Sequence, residues 1–552
     1  MRRFSLSLLL SGAATLALLA PSAARAVEPG AMGPDDLAAD SASAGAPPAE
    51  SAEDREARRM ALAVALPEET PADVAQLAQS GAPVTTLPDA LRLAYWTAPE
   101  LLAQRASLKG VDYRVPQARA AYGPKLDYQL SQTYVRDDKD AFGFFVPKGI
   151  YHGFSNSAAA VLTQPLFTFG RNFAQERYAL AQRGYQAQAL RSVEQQALLD
   201  ALSAYVGLLR DRAAVAIAQD NLDILQAELS DNQARFKVRE VTMTDVQQVV
   251  TRAELGRAQL YAAQRDAASS EAAFAQKIGA PAGTLGAPNP LDLPVRTLEE
   301  AYAYAEAHNP VLQAAHEREK VSRAGVLAAK ADLMPRVDFR GTALYGNQSQ
   351  YDNNARNREL RGEVTVSGPI YESGLRQAKV GEAVAANDAD WRLIDAALRD
   401  NRASLAASWN DWKAQEAAIE RYGVAVDSAQ KALDGAKLQE RAGLITTLDV
   451  LELTRELLSA RSNYNAAIAG AYVSQARVLA LMGALEQRWL LPDDPLYDAQ
   501  AHLARVRHDG DVPLLTPLMR ALDGFSVGPA DKRALRDPGT QVQTPAVTLS
   551  TP

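Results

Sequence analysis

An internal duplication restricts the fold of this chain more than any other feature of its sequence. Residues 86–134 align with residues 297–345 without a gap at an offset of 211, and after a loop that is seven residues shorter in the second copy the offset stays at 204. Identical residues at equivalent positions are Pro99 and Pro310, Pro124 and Pro335, Tyr134 and Tyr345, Gly170 and Gly374, and Asp245 and Asp449. A chance similarity would not keep its register over this length, so we expect two copies of one structural unit, over 84–283 and 284–485.

Two segments in each unit alternate apolar and polar residues, which is the pattern of a β-strand with one apolar and one polar face. They are KLDYQLSQTYV and the weaker GFSNSAAAVLTQPLF in the first unit, and RVDFRGTALY and LRGEVTVSGPI in the second. A polar or glycine-containing loop separates the two segments of each unit, at 138–152 and at 346–358. We therefore expect one β-hairpin per unit. Pro165 and Pro369 then fall near the ends of the second strands, where proline is tolerated.

Each predicted hairpin is followed by a long helical pattern. After Gly170 and after Gly374 this pattern continues for about 65 residues, breaks, and resumes for about 35 more, so that the longer arm would reach about 100 Å. No globular core is that wide, and the many small residues are typical of helices packed along their length. The breaks are RFKVREVTMTDVQ at 235–247 and RAGLITTLDVLEL at 441–453, where we expect the chain to reverse.

The N-terminus predicts export. Arg2 and Arg3 precede an apolar run and a cleavage motif that ends at Ala26, which indicates a signal peptide over 1–26. The alternative, a membrane anchor, would need about 20 apolar residues, and the run is shorter. No later segment reaches 18 consecutive apolar residues, which excludes a helical membrane protein at the level of the sequence.

The regions outside the duplication have the composition of mobile segments. Residues 27–83 are rich in alanine, proline, serine and acidic residues, and they predict a flexible extension with one short helix around 52–66. Residues 486–552 are mixed in composition and end in a polar stretch, which predicts a partly disordered tail.

Charge and residue usage exclude several classes of function. The net charge of −8 and the absence of a basic run argue against a nucleic-acid partner. The chain has no cysteine, so it has no disulfide, thiolate metal site or catalytic thiol. The five histidines are scattered, and His308 and His316 lack the spacing of a zinc site. No phosphate-binding loop, dinucleotide fingerprint or nucleophile elbow is present, so we expect neither an enzyme nor a cofactor.

Four amphipathic strands per chain resemble part of the wall of a membrane barrel. Four strands cannot close around a lumen, and open edges in lipid would leave backbone groups unpaired at a cost of several kcal/mol each. Three chains would supply 12 strands, an even number within the range of outer-membrane barrels. The predicted fold is an α+β membrane protein: a trimeric 12-stranded β-barrel with four strands per chain, continued by a long barrel of α-helices.

Over about residues 84–489 the sequence resembles the TolC family of Gram-negative outer-membrane export channels. The most specific similarities are the gapless duplication, the strand-to-helix passages QPLFTFGR and GPIYESGLR, and the stretches 235–247 and 441–453. In that family a homotrimer forms a barrel in outer-membrane lipid and a periplasmic helical tunnel with a closable tip. It works with a periplasmic adaptor and an inner-membrane ABC or proton-driven pump. The resemblance implies a passive exit duct whose tips are these two stretches.

The resemblance also implies roles for polar residues at the tips. Asp449 and Glu452 share a helix face and match the two acidic rings at the narrowest part of the family's tunnel, where rings of carboxylates would concentrate cations. Thr244 and Asp245 match the acceptor side of the polar links that hold the tips closed. The alternative is plain helix capping, with Thr244 or Thr447 as the cap and Asp245 or Asp449 in the first turn.

The donor side of these links does not match the family. Glu440 stands at the position of the aromatic partner and Ile445 at that of the basic partner. Arg239 or Arg441 could supply the missing base, and the alternative is a looser closed tip.

The adaptor-docking signature of the family, V-G-L, is also altered. The equivalent residues are Val238, Arg239 and Glu240 in the first copy and Ala442, Gly443 and Leu444 in the second. Gly443 supplies the backbone freedom that a sharp reversal needs. We therefore expect the two tips to offer unequal grooves to an adaptor.

The substrate is not evident from the sequence. By the resemblance to the TolC family, the N-terminal extension and the long tail favour type I protein secretion over small-molecule efflux. Two further readings explain less: a periplasmic coiled-coil adaptor or scaffold leaves the amphipathic strands without a role, and a surface adhesin explains only the export signal.

Overall fold

The computed structural model describes four stretches of the chain: 69–139, 149–347, 356–492 and 494–525. They all belong to one compact unit. The predicted signal peptide and the helix expected around 52–66 lie outside the described residues, as does the end of the tail from residue 526.

The two repeats share an order of helices, a β-hairpin and a long helical hairpin, and the second has one helix where the first has α3 and α4. Helix α1 (Ala72–Ser80) precedes the first repeat, which contains α2 (Leu87–Thr97), α3 (Pro99–Asp112), α4 (Arg114–Ala120), β1 (Lys125–Lys139), β2 (Gly149–Phe167), α5 (Arg171–Lys237) and α6 (Met243–Ile278). The second contains α7 (Leu298–His308), α8 (Pro310–Ala331), β3 (Arg336–Asn347), β4 (Asn357–Ser367), α9 (Leu375–Arg441) and α10 (Thr447–Met482). Helices α5 and α9 both have 67 residues, and α6 and α10 both have 36.

The four strands form one antiparallel sheet in the order β1-β2-β3-β4. Each repeat contributes the expected hairpin, and pairing of β2 with β3 joins the two hairpins. The sequence did not predict this junction. A register shift between Pro165 and Phe167 ends the regular pairing of β2, in agreement with the position expected for that proline. Strands β1 and β4 are the outer members, so each has one edge without a partner among the described strands.

The register separates apolar from polar residues across the sheet. Tyr128 lies opposite Ala160, Leu162 opposite Gly341 and Ala343 opposite Leu360, so one face is apolar across all four strands. Tyr128 is 83% exposed. The other face carries charged and hydroxyl side chains, among them Asp127, Thr163, Arg340 and Glu363. The sheet is therefore a wall with one apolar and one polar side.

The main core lies where the two repeats meet around the middle of the long helices. Residues from α2, α5, α6, α9 and α10 form one buried cluster there, which includes Trp96, Leu202, Tyr205, Phe274, Leu405 and Met482.

Capping boxes begin α6, α7 and α10. None of the helices in the described part of the chain has both the length and the apolar character that crossing a membrane requires.

The described parts of the regions outside the repeats contain helices. The flexible extension was expected to continue to residue 83, but residues 72–80 form α1 and bury Val74. The tail forms α11 (Gln487–Leu490), α12 (Ala501–Val506) and α13 (Leu515–Phe525). An ion pair of 2.5 Å between Arg119 and Asp511 holds this tail against α4.

Candidate functional site: the two helical tips

The long helices reverse at two tips, which we define as residues 238–242 (tip 1) and 442–446 (tip 2). In tip 1 the amide of Arg239 donates to the carbonyl of Phe236 at 3.0 Å, and the amide of Glu240 donates to that of Arg235 at 2.9 Å. This bond pair is the Schellman motif, which satisfies the last carbonyls of a helix. Tip 2 repeats it with the amides of Gly443 and Leu444.

The motif requires a left-handed residue at its turning point. Gly443 has a φ of 71°, and Arg239 at the equivalent position has a φ of 64°. Glycine adopts this conformation freely, whereas another residue pays about 1–2 kcal/mol for it. The two tips therefore have the same backbone path but different side chains and different local strain.

A capping box begins the helix after each tip. In tip 1 the Thr242 hydroxyl accepts from the amide of Asp245 at 3.2 Å, and the Asp245 carboxylate accepts from the amide of Thr242 at 2.9 Å. Thr446 and Asp449 form the same pair in tip 2. These bonds to Thr446 hold the pKa of the Asp449 carboxyl below its ordinary value. Asp449 is thus ionised and fixed in orientation.

The expectation that Thr244 or Thr447 caps these helices was wrong. A capping box places the hydroxyl residue three positions before the acid, which selects Thr242 and Thr446. Thr244 is exposed in the first turn of α6. Thr447 is buried, and its hydroxyl lies 2.9 Å from Glu440 Oε1 and 3.1 Å from Asn232 Oδ1.

Thr447 belongs to a buried group of polar side chains that joins the two helical hairpins. We call it the inter-hairpin cluster: Glu228, Asn232 and Arg235 from α5, Glu440 from α9, and Thr447 from α10. Asn232 donates to Glu228 Oε1 at 2.7 Å, and Arg235 Nη1 lies 3.3 Å from Glu440 Oε1. Glu228, Asn232, Glu440 and Thr447 are all buried.

The cluster contains two acidic side chains that influence each other. Burial and then the charge of Glu440 raise the pKa of Glu228 to about 7. A carboxylate in a desolvated site beside another carboxylate resists ionisation, so Glu228 holds its proton to a higher pH than an exposed glutamate does. The pKa of Glu228 therefore places a change of charge at the tips close to neutrality.

The cluster also shows which basic side chain pairs with Glu440 within the chain. Neither Arg239 nor Arg441 but Arg235 lies beside Glu440. Ile445 packs against the apolar cluster of Leu433 and Val450 instead. Glu228, Asn232 and Arg235 were not predicted, although polar residues at i, i+4 and i+7 on one face of a long helix are a signal in the sequence.

The two acids expected to line the constriction have different surroundings. Asp449 is exposed, and its carboxylate accepts a hydrogen bond from the Thr446 amide in the capping box. Glu452 lies one turn further along α10, 3.0 Å from Arg252 Nη2 on α6 and 2.6 Å from Arg455 Nη2. Glu452 is thus accompanied by two cations, whereas Asp449 is held by neutral donors.

The six residues expected to meet an adaptor are all exposed: Val238, Arg239, Glu240, Ala442, Gly443 and Leu444. Val238 is 67% exposed and Leu444 is 75% exposed. Each tip thus presents an uncovered apolar side chain, next to charges in tip 1 and next to small residues in tip 2.

Comparisons with known proteins agree with this architecture. A model of the outer membrane efflux protein family matches residues 90–280 and 301–484. BepC of Brucella suis biovar 1 (strain 1330), an outer membrane efflux protein, is 27% identical over 388 residues, or 68% of this chain and 80% of BepC. AprF of Pseudomonas aeruginosa, an alkaline protease secretion protein, is 25% identical over 397 residues, or 68% of this chain and 80% of AprF.

The crystal structure of the outer membrane protein VceC from Vibrio cholerae has the same fold. It superposes with a TM-score of 0.63 at 19% identity, over 72% of this chain and 96% of VceC. The family model covers most of both repeats, including the strands and both tips. The chain belongs to the outer membrane efflux protein family, which confirms its resemblance to TolC and its place as a channel without enzymatic activity in the outer membrane, with a periplasmic helical tunnel.

Proposed function

We propose that three copies of this chain form the outer-membrane exit duct of a tripartite export system, which receives substrate from an inner-membrane pump and a periplasmic adaptor. The observation that carries this proposal is the four-stranded sheet, which exposes an apolar face and leaves the outer edges of β1 and β4 without a partner among the described strands. Unpaired edges in lipid are costly, and three copies would close them into a barrel of 12 strands.

The helices of the three copies would continue this barrel as a tunnel. Helices α5 and α9 have 67 residues each, which corresponds to about 100 Å at the rise of an α-helix. Both end at a tip, so the tunnel would narrow or open where the tips of the three copies meet.

Asp449 and Glu452 would line the narrowest part of this tunnel. Threefold symmetry turns each acid into a ring, and a ring of carboxylates attracts cations. Arg252 and Arg455 offset the charge of Glu452, so the Asp449 ring would supply most of the negative potential. Thr244 and Asp245 would face the neighbouring copy as acceptors for polar links in the closed state.

The exposed tip residues would receive the adaptor. Val238 and Leu444 offer apolar contacts, but Arg239 and Glu240 add charges in tip 1 that tip 2 lacks. An adaptor that uses both sites would therefore bind them with unequal affinity.

For the substrate class, we propose type I protein secretion. AprF, named for alkaline protease secretion, supports it. BepC, named an efflux protein, supports small-molecule efflux as the second candidate. The duct is passive in both cases, so the partner pump would decide the substrate.

Deletion of the gene, with complementation by the intact chain, tests both candidates. For secretion we expect the loss of one or a few proteins from the culture medium, with unchanged sensitivity to toxic compounds. Increased sensitivity with an unchanged set of secreted proteins would favour efflux. If neither property changes, and purified protein forms no conductance in planar bilayers, the exit-duct proposal is wrong.

A further inference from the structure

Helix α13 is amphipathic, but its apolar side is exposed and its polar side is buried. Its residues that are exposed, together with the one just before it, are all apolar: Leu514, Pro517, Leu518, Ala521, Leu522 and Phe525. Leu518 is 55% exposed and Phe525 is 89% exposed. The two buried residues of the helix, Thr516 and Asp523, are polar. A surface helix of a water-soluble protein has the opposite arrangement, with its apolar side toward the core.

The polar side of α13 is fixed to the protein by specific bonds. Asp523 Oδ1 accepts from the amides of Thr168 at 2.9 Å and Gly170 at 3.0 Å, and Oδ2 accepts from the Thr168 hydroxyl at 2.7 Å. Arg520 donates to Glu176 at 2.7 Å. These bonds place a carboxylate at the N-terminus of α5, where the helix dipole favours it. The orientation of the helix is therefore determined, and its apolar side faces outward.

The anchoring residues also locate α13 along the molecule. Thr168 directly follows the last residue of β2, and α5 begins three residues later. The helix thus lies at the end of the sheet from which the periplasmic helices extend. In an outer-membrane protein whose sheet has an apolar face for lipid, this end is the periplasmic boundary of the membrane.

We propose that α13 is an interfacial helix, whose apolar stripe of Leu518, Leu522 and Phe525 inserts into the periplasmic leaflet of the outer membrane. An interfacial helix buries its apolar side about 5–10 Å into the boundary between headgroups and acyl chains. The occupant is phospholipid, because the helix is fixed at the end of a sheet whose apolar face meets lipid in the proposed barrel, so this inference rests on the proposed function.

Single cysteines test this directly, because the chain has none of its own. Full-length Leu518→Cys protein carries an environment-sensitive fluorophore and is reconstituted into phosphatidylethanolamine and phosphatidylglycerol vesicles, with or without a lipid that bears a nitroxide quencher near the headgroup. Tyr128→Cys on the apolar face of the sheet is the lipid-exposed control.

Ala504→Cys on α12 is the matched control outside the membrane. The neighbouring His502 bonds to Asp112, which pairs with Arg183, 12 residues after the start of α5 and therefore about 18 Å from it. We expect the fluorophores at 518 and 128 to lose fluorescence when the quencher lipid is added, and the one at 504 to keep it.

An unquenched label at 518, equal to that at 504, would overturn the proposal. Crosslinking of position 518 between protomers would do so as well, since it would show that a second copy covers the helix. If the label at 518 becomes exposed only after residues 27–68 are removed, that segment rather than lipid covers the apolar stripe. This result would also refute the interfacial-helix proposal. Native mass of the same samples reports trimer formation separately, so failure of the exit-duct proposal is distinguishable from failure of this one.

Discussion

Arg235 and Glu440 form an ion pair of 3.3 Å between the last turns of the two longest helices. The two residues are 205 positions apart in the sequence, one in each repeat. Glu440 is buried, and its carboxylate contacts this guanidinium and the Thr447 hydroxyl. The pair therefore couples the first helical hairpin to the second at the level where the proposed duct opens.

Removal of the cation should loosen the tips. Loss of one partner from a buried ion pair leaves the other charge uncompensated, so we expect Arg235→Ala to cost about 3 kcal/mol of local stability. The measurement is hydrogen exchange at the ends of α5 and α9. The double variant Arg235→Met, Glu440→Leu removes both charges and should recover most of the protection. Equal exchange in Arg235→Ala and the unaltered chain would contradict the coupling.

The inter-hairpin cluster should be more stable in mildly acidic than in mildly alkaline solution. The pKa of Glu228 is raised from 4.5 to about 7, so the folded chain binds a proton that the unfolded chain releases. The stabilising contribution is complete below about pH 4.5 and is lost as the pH rises through about 7.

Glu228→Gln should abolish this pH dependence. Glutamine keeps the shape of the side chain but does not titrate, so the protection factors of the amides at the tips should stay nearly constant from pH 6 to pH 8. Asp231→Asn, an exposed neighbour on the same helix, should keep most of the response. A pH response that persists in Glu228→Gln would assign it to another group.

The two acids of the proposed constriction should contribute unequally to ion selectivity. Asp449→Asn should reduce the cation preference in planar bilayers more than Glu452→Gln, because two arginines already offset Glu452. Asparagine also preserves an acceptor for the cap, so the tip should stay folded. The double variant should lose the preference, and unchanged selectivity in it would refute the constriction at these residues.

Crosslinking should reveal the inequality of the two tips. Arg239 and Gly443 occupy equivalent left-handed positions, and a cysteine at 443 takes on the strain that residue 239 already carries, so the two variants compare the grooves under matched strain. We expect unequal yields with an adaptor that carries a short crosslinker, since charged Glu240 follows the first position and apolar Leu444 follows the second. Equal yields from both would argue against unequal docking.

The sequence was sufficient for the features that depend on local pattern. The alternation in KLDYQLSQTYV predicted β1, and uninterrupted helical composition predicted α5 and α9 to within a few residues of their length. The helix caps could also be predicted from the sequence, because Thr242 and Thr446 stand three residues before an acid. Position in the first turn alone indicated the wrong threonines.

Contacts between the repeats could not be predicted, because they depend on how two distant segments pack. Pairing of β2 with β3 and the bond between Arg235 and Glu440 both connect different copies. The place where the tail packs could not be predicted for a similar reason. Asp523 is an ordinary surface residue by composition, and only the folded chain brings it to the start of α5.

The central claim is that three chains close one barrel, and the migration of outer-membrane extracts on a denaturing gel tests it most directly. Without heating, the protein should migrate as a single species of about three times the mass of the processed chain, because a closed barrel leaves no unpaired edge for detergent to attack. Boiling should convert it to monomer. A protein found only as a soluble monomer, before as well as after heating, would contradict the account.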